Sequence, residues 1–146
     1  NETFSEIYIF SNDMKTLLRT LGEKNVQGSD GTHFGKPQDV AFLPDGRVLI
    51  ADGLDNHRVM IFDKDLNYLG EVGGKGSGPG QFNGVHAIGV GPEGRVFALD
   101  RSGGRINVFR ATNNPRTLEY VTEFPGFSLP LDIIVNDDSL WVTDLN

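Results

Sequence analysis

Cysteine is absent from the 146 residues of this sequence. Disulfide scaffolds, thiolate zinc sites and cysteine nucleophiles are therefore excluded, and cysteine usage says nothing about the compartment. No apolar run approaches the roughly 20 residues that a membrane-spanning helix needs, so we expect no membrane partner. The compartment stays open, with a secreted or periplasmic location among the options. A removed signal peptide would leave a chain that begins, like this one, without methionine.

Basic residues are outnumbered, with 13 lysines and arginines against 20 aspartates and glutamates and a formal net charge of −7. A phosphate backbone would be repelled by most of this surface, so we expect no nucleic-acid partner. Helical patterns are few. Residues 14–24 could form a helix, but they align with residues 66–75, whose pattern favours a strand.

Glycine is abundant, with 19 residues, and a repeat explains its placement. Residues 34–52, FGKPQDVAFLPDGRVLIAD, align without a gap with residues 82–100, FNGVHAIGVGPEGRVFALD. Residues 129–144 repeat only the front half of this unit, and residues 6–22 repeat only its back half. The sequence therefore divides into the outer strands of a split blade (1–33), two full blades (34–81 and 82–128) and the inner strands of a split blade (129–146).

Each full repeat has the pattern of four short strands. Segments such as RVLIAD and HRVMIFD are β-branched or alternating runs of strand length. The segments PDG (44–46) and PEG (92–94) supply the turn chemistry between strands. Four antiparallel strands in each period of about 40–50 residues are typical of a propeller blade. The sequence predicts an all-β propeller with three blades' worth of strands.

The segments GPGQF, PDGRVLIAD and NHRVMIFD resemble the NHL repeat, whose propellers usually have six blades. Within that group, residues 28–46 and 76–109 are similar to the peptidyl-α-hydroxyglycine α-amidating lyases. The resemblance implies a zinc-dependent propeller with a structural calcium in its channel. Members of this family cleave a hydroxyglycine-extended peptide into a peptide amide and glyoxylate.

The resemblance also implies roles for individual residues. His86 stands where the family has a zinc-binding histidine, and Arg101 stands where an arginine assists the substrate carboxylate. Leu54 takes the place of the tyrosine that assists the hydroxyl. Leu131 and Gln38 take the places of further histidines.

Two aspartates match a family position that helps to hold calcium. Asp39 and Asp132 follow the start of their inner strands, in the contexts PQD and PLD. Oxygen ligands of this kind suit calcium, so a calcium ion in the channel is one expectation. The alternative, weighted equally, is that each aspartate caps its own loop.

Catalytic zinc requires three protein ligands and an open position, whereas one chain supplies one well-placed histidine. Zinc is therefore doubtful. We expect a scaffold that binds a ligand, peptide or protein through its channel face, with a degenerate lyase-like site; enzymatic activity stays open, with the balance against it. Its expected ligand-binding residues are Gln38, Leu54, His86, Arg101 and Leu131. The alternative is a zinc-dependent lyase of altered specificity, with Arg101 as its catalytic residue.

Three blades cannot close a ring, because a propeller needs about four to eight. We expect two copies to close head to tail into a six-bladed homodimer, each C-terminal half pairing with the partner's N-terminal half. The alternative is that these residues belong to a longer six-bladed chain.

Other recurring positions are expected to be structural. Asp52, Asp100 and Asp144 end the same strand in each repeat, and we expect them to stabilise turns and to pair with Arg58 and Arg105. His57 is expected in a loop, and His33 in a structural turn beside Phe34. Leu49, Phe97 and Trp141 occupy equivalent strand positions and are expected to pack between blades.

Overall fold

Antiparallel β-strands form almost all of the regular structure in residues 5–145, the part of the chain that this computed structural model describes. The only helix among these residues is a 3-10 turn at Pro92–Gly94. The strands are β1 (Glu6–Phe10), β2 (Leu17–Gly22), β3 (Pro37–Phe42), β4 (Val48–Asp52), β5 (Arg58–Phe62), β6 (Tyr68–Gly73), β7 (Val85–Val90), β8 (Arg95–Asp100), β9 (Arg105–Ala111), β10 (Leu118–Pro125), β11 (Pro130–Val135) and β12 (Leu140–Asp144). The all-β prediction is confirmed, including a strand rather than a helix at Leu17–Gly22.

The strands form four sheets whose order follows the chain. Two sheets have four strands, in the orders β3-β4-β5-β6 and β7-β8-β9-β10. Two have only two strands, β1-β2 and β11-β12. We call the four-stranded sheets complete blades and the two-stranded sheets half-blades. No helix in residues 5–145 is long and apolar enough to cross a bilayer.

Both faces of the first complete blade are buried, which explains its continuous apolar strands. Val48 and Met60 face the half-blade β1-β2, where Ile7 packs against their cluster. Leu49 and Ile61 point to the opposite face and join the second complete blade in one core. Successive strand side chains alternate between faces, so every position of β4 and β5 is buried. Burial of each such large aliphatic side chain contributes about 1.5–3 kcal/mol.

The C-terminal half-blade packs on the second complete blade in the same way. Ile133 and Val142 contact the face that contains Leu99 and Ile106. Strand β7 lies next to both β3 and β11, so the three inner strands follow one another around an arc. This arrangement is the expected geometry of adjacent propeller blades.

The two ends of the arc expose apolar side chains. Phe42 is 67% exposed, beside an apolar cleft of about 240 Å³ against the half-blade β1-β2. At the other end Trp141 is 65% exposed, whereas Leu49 at the equivalent position is fully buried. The packing predicted for Trp141 is therefore not seen within residues 5–145, because no described strand covers that face.

A buried aspartate–arginine pair joins the inner and outer halves of the first complete blade. Arg58 Nε donates to Asp52 Oδ2 at 3.0 Å. Asp52 Oδ1 accepts the backbone N–H groups of Gly35 (2.8 Å) and Lys36 (3.1 Å), just before β3. The Arg58 guanidinium also donates to the carbonyl of His33 at 2.9 Å. We call this arrangement the aspartate–arginine staple.

The second complete blade repeats the staple. Arg105 Nε donates to Asp100 Oδ2 at 3.2 Å, and Asp100 Oδ1 accepts the N–H of Asn83 at 2.8 Å. Arg105 also donates to the Gln81 carbonyl and to Glu123 Oε2, each at 2.8 Å. The predicted pairing of the recurring aspartates and arginines is therefore confirmed in both complete blades.

Replacement of Arg105 by glutamine is expected to lower the free energy of unfolding by about 3–5 kcal/mol, because it leaves the Asp100 carboxylate buried without its counter-charge. The matched control is Arg110→Gln, because Arg110 lies on the same strand and forms an exposed ion pair with Glu119. That change should cost about 0–1 kcal/mol. Urea unfolding monitored by far-ultraviolet circular dichroism measures both values, and similar losses in the two variants would contradict the structural role of the staple.

Candidate functional site

The five predicted channel-face residues lie at the same end of the blades. Strand pairing sets Pro37 opposite Asp52 and Val85 opposite Asp100. The starts of the inner strands therefore share one end with the loops that follow β4 and β8. These elements carry Gln38, Leu54, His86, Arg101 and Leu131. We call this region the channel end.

His86 connects two inner strands at the channel end. Its Nδ1 lies 2.7 Å from the backbone oxygen of Leu131. A carbonyl oxygen only accepts, so Nδ1 carries the proton and Nε2 retains its lone pair in the neutral ring. Metal-ligating histidines commonly donate their second N–H to a carbonyl in this manner. His86 can therefore act as an acceptor or as a single metal ligand.

Arg101 begins the loop after β8, close to the start of β7. Its backbone N–H donates to the Gly84 oxygen at 2.9 Å. Its side-chain Nε is buried and has no hydrogen-bond partner among residues 5–145. Leu54 Cδ2 lies 3.7 Å from the position that a Cβ atom on Gly84 would take. Leu54 therefore also lies beside the start of β7. The structure thus places Arg101, whose Nε is buried without a partner in residues 5–145, and the exposed Leu54 next to the same strand start.

Gln38 is turned back on its own strand. Its amide nitrogen donates to the oxygens of Lys36 at 3.1 Å and Pro37 at 3.3 Å. Among residues 5–145, no hydrogen bond connects Gln38 with His86 or Arg101. Gln38 therefore shares the channel end with these residues but is not joined to them.

The two candidate calcium aspartates bind backbone amides. Asp39 Oδ1 accepts the N–H of Val40 and Oδ2 accepts that of Ile88 in the next blade, each at 2.8 Å. Asp132 Oδ1 accepts the N–H of Ile133 at 2.8 Å. Both aspartates therefore bind backbone amides of inner strands, and the Asp39 contact also ties two blades together. Calcium binding stays a prediction.

The side chains at the channel end do not fit the three-histidine zinc site that the resemblance implies. Of the five predicted residues, only His86 is a histidine, and Leu131 and Gln38 supply no imidazole. Within residues 5–145, no group of three or more His, Cys, Asp and Glu side chains could hold a metal. We therefore derive no zinc chemistry from this chain alone.

The other two histidines form no hydrogen bond with His86 or Arg101 among residues 5–145. His33 Nδ1 lies 2.9 Å from Asp30 Oδ2, and its backbone oxygen accepts from Arg58, so it belongs to the staple of the first complete blade. His57 lies between β4 and β5 with a φ of 54°, and its Nδ1 is buried without a partner in the described residues. Both positions agree with the structural and loop roles expected for them.

The hydrogen bond to the Asp30 carboxylate raises the pKa of His33 above its ordinary value. Hydrogen bonds from Thr32 and His33 hold the pKa of Asp30 well below the usual range. Because the folded pKa of His33 is the higher one, its contribution to stability is complete below the unfolded pKa of about 6.5. That contribution is lost as the pH rises through the folded value.

An NMR titration of the His33 ring is expected to show a raised pKa that falls when Asp30 is replaced by asparagine. Glu93→Gln is the control, because Glu93 is exposed in the 3-10 turn and has no contact with His33. An unchanged His33 pKa in the Asp30→Asn variant would contradict the assigned hydrogen bond.

Two contacts at the channel end could not be read from residue types alone. The His86–Leu131 and Asp39–Ile88 hydrogen bonds both cross from one blade to the next. One signal for the second contact does exist. Ala87 occupies the repeat position of Asp39, so the second complete blade lacks its own side-chain acceptor and takes one from its neighbour.

Comparison with known families extends these observations. The sequence model of a family described as "6-bladed beta-propeller" matches residues 26–123, more than half of the chain. This chain belongs to that six-bladed β-propeller family. The propeller class predicted from the repeats is therefore confirmed.

Curated relatives confirm the resemblance to NHL-repeat proteins and amidating lyases. The chain is 33% identical over 113 residues to the probable peptidyl-alpha-hydroxyglycine alpha-amidating lyase pgal-1 of Caenorhabditis elegans, covering 73% of this chain and 32% of the relative. It is 35% identical over 112 residues to the mouse peptidyl-glycine alpha-amidating monooxygenase, covering 73% and 11%. It is 31% identical over 99 residues to mouse NHL repeat-containing protein 3, covering 66% and 28%. The chain thus spans a third or less of the length of these relatives.

Among solved structures, the hydrazine synthase of Kuenenia stuttgartiensis matches the fold with a TM-score of 0.61. The match covers 82% of this chain and 32% of that chain at 18% sequence identity. At this identity the match shows a shared fold and carries no statement about activity.

Proposed function

We propose that this propeller chain is a binding scaffold that takes the carboxylate of a peptide or small molecule at the channel end. The observation that carries this proposal is the buried Nε of Arg101, which has no hydrogen-bond partner in residues 5–145. A buried donor without a partner costs about 1–3 kcal/mol, and a bound carboxylate would supply that partner. Charge-assisted hydrogen bonds of arginine to carboxylates are among the strong ones.

The surroundings of Arg101 favour a peptide-like ligand. Leu54, beside the start of β7, offers an exposed apolar contact. His86 offers an acceptor nitrogen, because its Nδ1 proton is committed to Leu131. The relatives named as amidating lyase and amidating monooxygenase carry peptidyl substrates in their names, which supports the same ligand class.

A zinc-dependent lyase of altered specificity is the second candidate. The observation in its favour is the His86–Leu131 hydrogen bond, which prepares one imidazole as a ligand. Leu54 has no proton to give where the family has its assisting tyrosine, and Leu131 and Gln38 replace two histidines. The missing ligands would have to come from outside residues 5–145, so the scaffold is the better-supported function.

Arg101→Gln is expected to weaken the binding of a short peptide with a C-terminal glycine carboxylate by roughly tenfold to a hundredfold, because one charge-assisted bond is lost. The same peptide with an amidated C-terminus has no carboxylate for Arg101. The unchanged protein should therefore bind it about as weakly as the Arg101→Gln variant binds the acid peptide. Isothermal titration calorimetry measures all three affinities. Arg95→Gln is the matched control, because Arg95 is exposed at the opposite end of β8. Equal binding of acid and amide peptides would contradict the proposal.

Elemental analysis and a glyoxylate assay separate the two candidates. The scaffold predicts less than one zinc per two chains after purification in zinc-containing buffer. It also predicts no glyoxylate from a hydroxyglycine peptide, because three zinc ligands are not assembled. Tightly held zinc together with glyoxylate release that His86→Ala abolishes would establish the lyase instead.

A further inference from the structure

Asp144 occupies the aspartate position of the staple in a half-blade whose outer strands are not among residues 5–145. Its Oδ1 accepts the N–H of Leu129 at 2.7 Å and its Oδ2 that of Ser128 at 3.0 Å, just before β11. Asp52 holds the backbone before β3 in the same way. Asp52 and Asp100 are fully buried, whereas Asp144 is exposed and forms no ion pair with any residue in 5–145. Asp144 therefore accepts the backbone hydrogen bonds of the staple but has no arginine partner among residues 5–145.

The neighbouring strand edge is open as well. In the complete blades, the second strand pairs with a third strand so that Asp52 lies opposite Arg58 and Asp100 lies opposite Arg105. Within the described part of the chain, strand β12 pairs only with β11. Its other edge presents backbone donors and acceptors that a further strand can pair with. The first residue of such a strand would lie opposite Asp144.

We propose that β12 is the docking edge for an outer pair of strands, of the type formed by β5-β6 and β9-β10, whose first residue is arginine. The guanidinium would meet the Asp144 carboxylate as Arg58 meets Asp52 and Arg105 meets Asp100. Backbone pairing along β12 would supply the remainder of the interaction, as in strand addition to an open sheet edge.

A second copy of this chain fits the edge less well, although the sequence predicted a homodimer. The outer strands that a copy can offer are β1-β2, in which EIYIF aligns with RVMIF. Glu6 thus occupies the arginine position and would bring a carboxylate to Asp144. Like charges directly opposite each other destabilise strand pairing. The residue opposite Asp144 therefore decides which strands β12 accepts: an arginine there favours pairing, whereas Glu6 of a second copy opposes it.

Asp144 is the main group that an arginine would find at this edge. In the complete blades, carbonyls of the preceding loop also accept from the guanidinium, including those of Ser29 and Asp30. The loop before β11 is much shorter, with only residues 126–129 between β10 and β11. It has fewer carbonyls to offer, so removal of the Asp144 charge should remove most of the selectivity for arginine.

The first test extends the full chain behind Asn146 with a copy of residues 103–125, which contains β9-β10. This join leaves four residues between Asp144 and the arginine, as between Asp100 and Arg105. In a second version, the copy alone carries Arg105→Glu, which reproduces the Glu6 arrangement. In the control version, the copy alone carries Arg110→Glu, at a position whose original is exposed in β9.

Hydrogen exchange of the β12 amides is the readout. The arginine version and the Arg110→Glu control are expected to slow exchange along β12 at least tenfold more than the Arg105→Glu version. Adding Asp144→Asn to the arginine version should remove most of that difference. Equal protection in the Arg105→Glu version and the arginine version would overturn the proposal.

The second test measures particle mass for the unextended chain by light scattering. Glu6→Arg is expected to raise the two-chain fraction, whereas Glu93→Arg, with the same charge change at an exposed turn, should not. Asp144→Asn should cancel the gain. A stable two-chain ring formed by the unchanged protein would overturn the proposal, because Glu6-bearing strands would then suffice. A Glu6→Arg variant that associates no more than the Glu93→Arg control would also overturn it.

Discussion

The ion pair between the last residue of a blade's second strand and the first residue of its third strand holds the inner and outer halves of each complete blade together. Two charges removed from water are costly, and close geometry with further hydrogen bonds is needed to offset that cost. Both pairs meet this condition. Asp52 and Asp100 accept backbone N–H groups, and Arg58 and Arg105 donate to loop carbonyls and to a second carboxylate.

The position of the channel end follows from this interaction. Each staple aspartate binds the backbone immediately before an inner strand, so it sets where β3 and β7 begin. Gln38 and His86 are the second residues of those strands, and Arg101 directly follows Asp100. A binding site on rigid strand starts and short loops needs such support, because a small displacement of its polar groups weakens recognition.

The repeat in the sequence predicts what lies within one blade far better than what lies between blades. Strand order and the pairing of Asp52 with Arg58 follow from residues that recur at fixed spacing. The His86–Leu131 and Asp39–Ile88 hydrogen bonds depend on how neighbouring blades are offset, and no periodicity encodes that offset. Trp141 illustrates the same limit. Its strand position predicts burial, but burial requires a neighbouring blade, and residues 5–145 supply none on that side.

A double-mutant cycle on Asp100 and Arg105 tests the central role of the staple most directly. The free energy of unfolding is measured in urea for Asp100→Asn, Arg105→Gln and the double variant, with Glu119→Gln and Arg110→Gln as the exposed reference cycle on the same blade. The buried pair is predicted to show a coupling free energy of about 1.5–3 kcal/mol, against roughly 0.2–1 kcal/mol for the exposed pair. A coupling free energy for the buried pair no larger than that of the exposed pair would contradict this account.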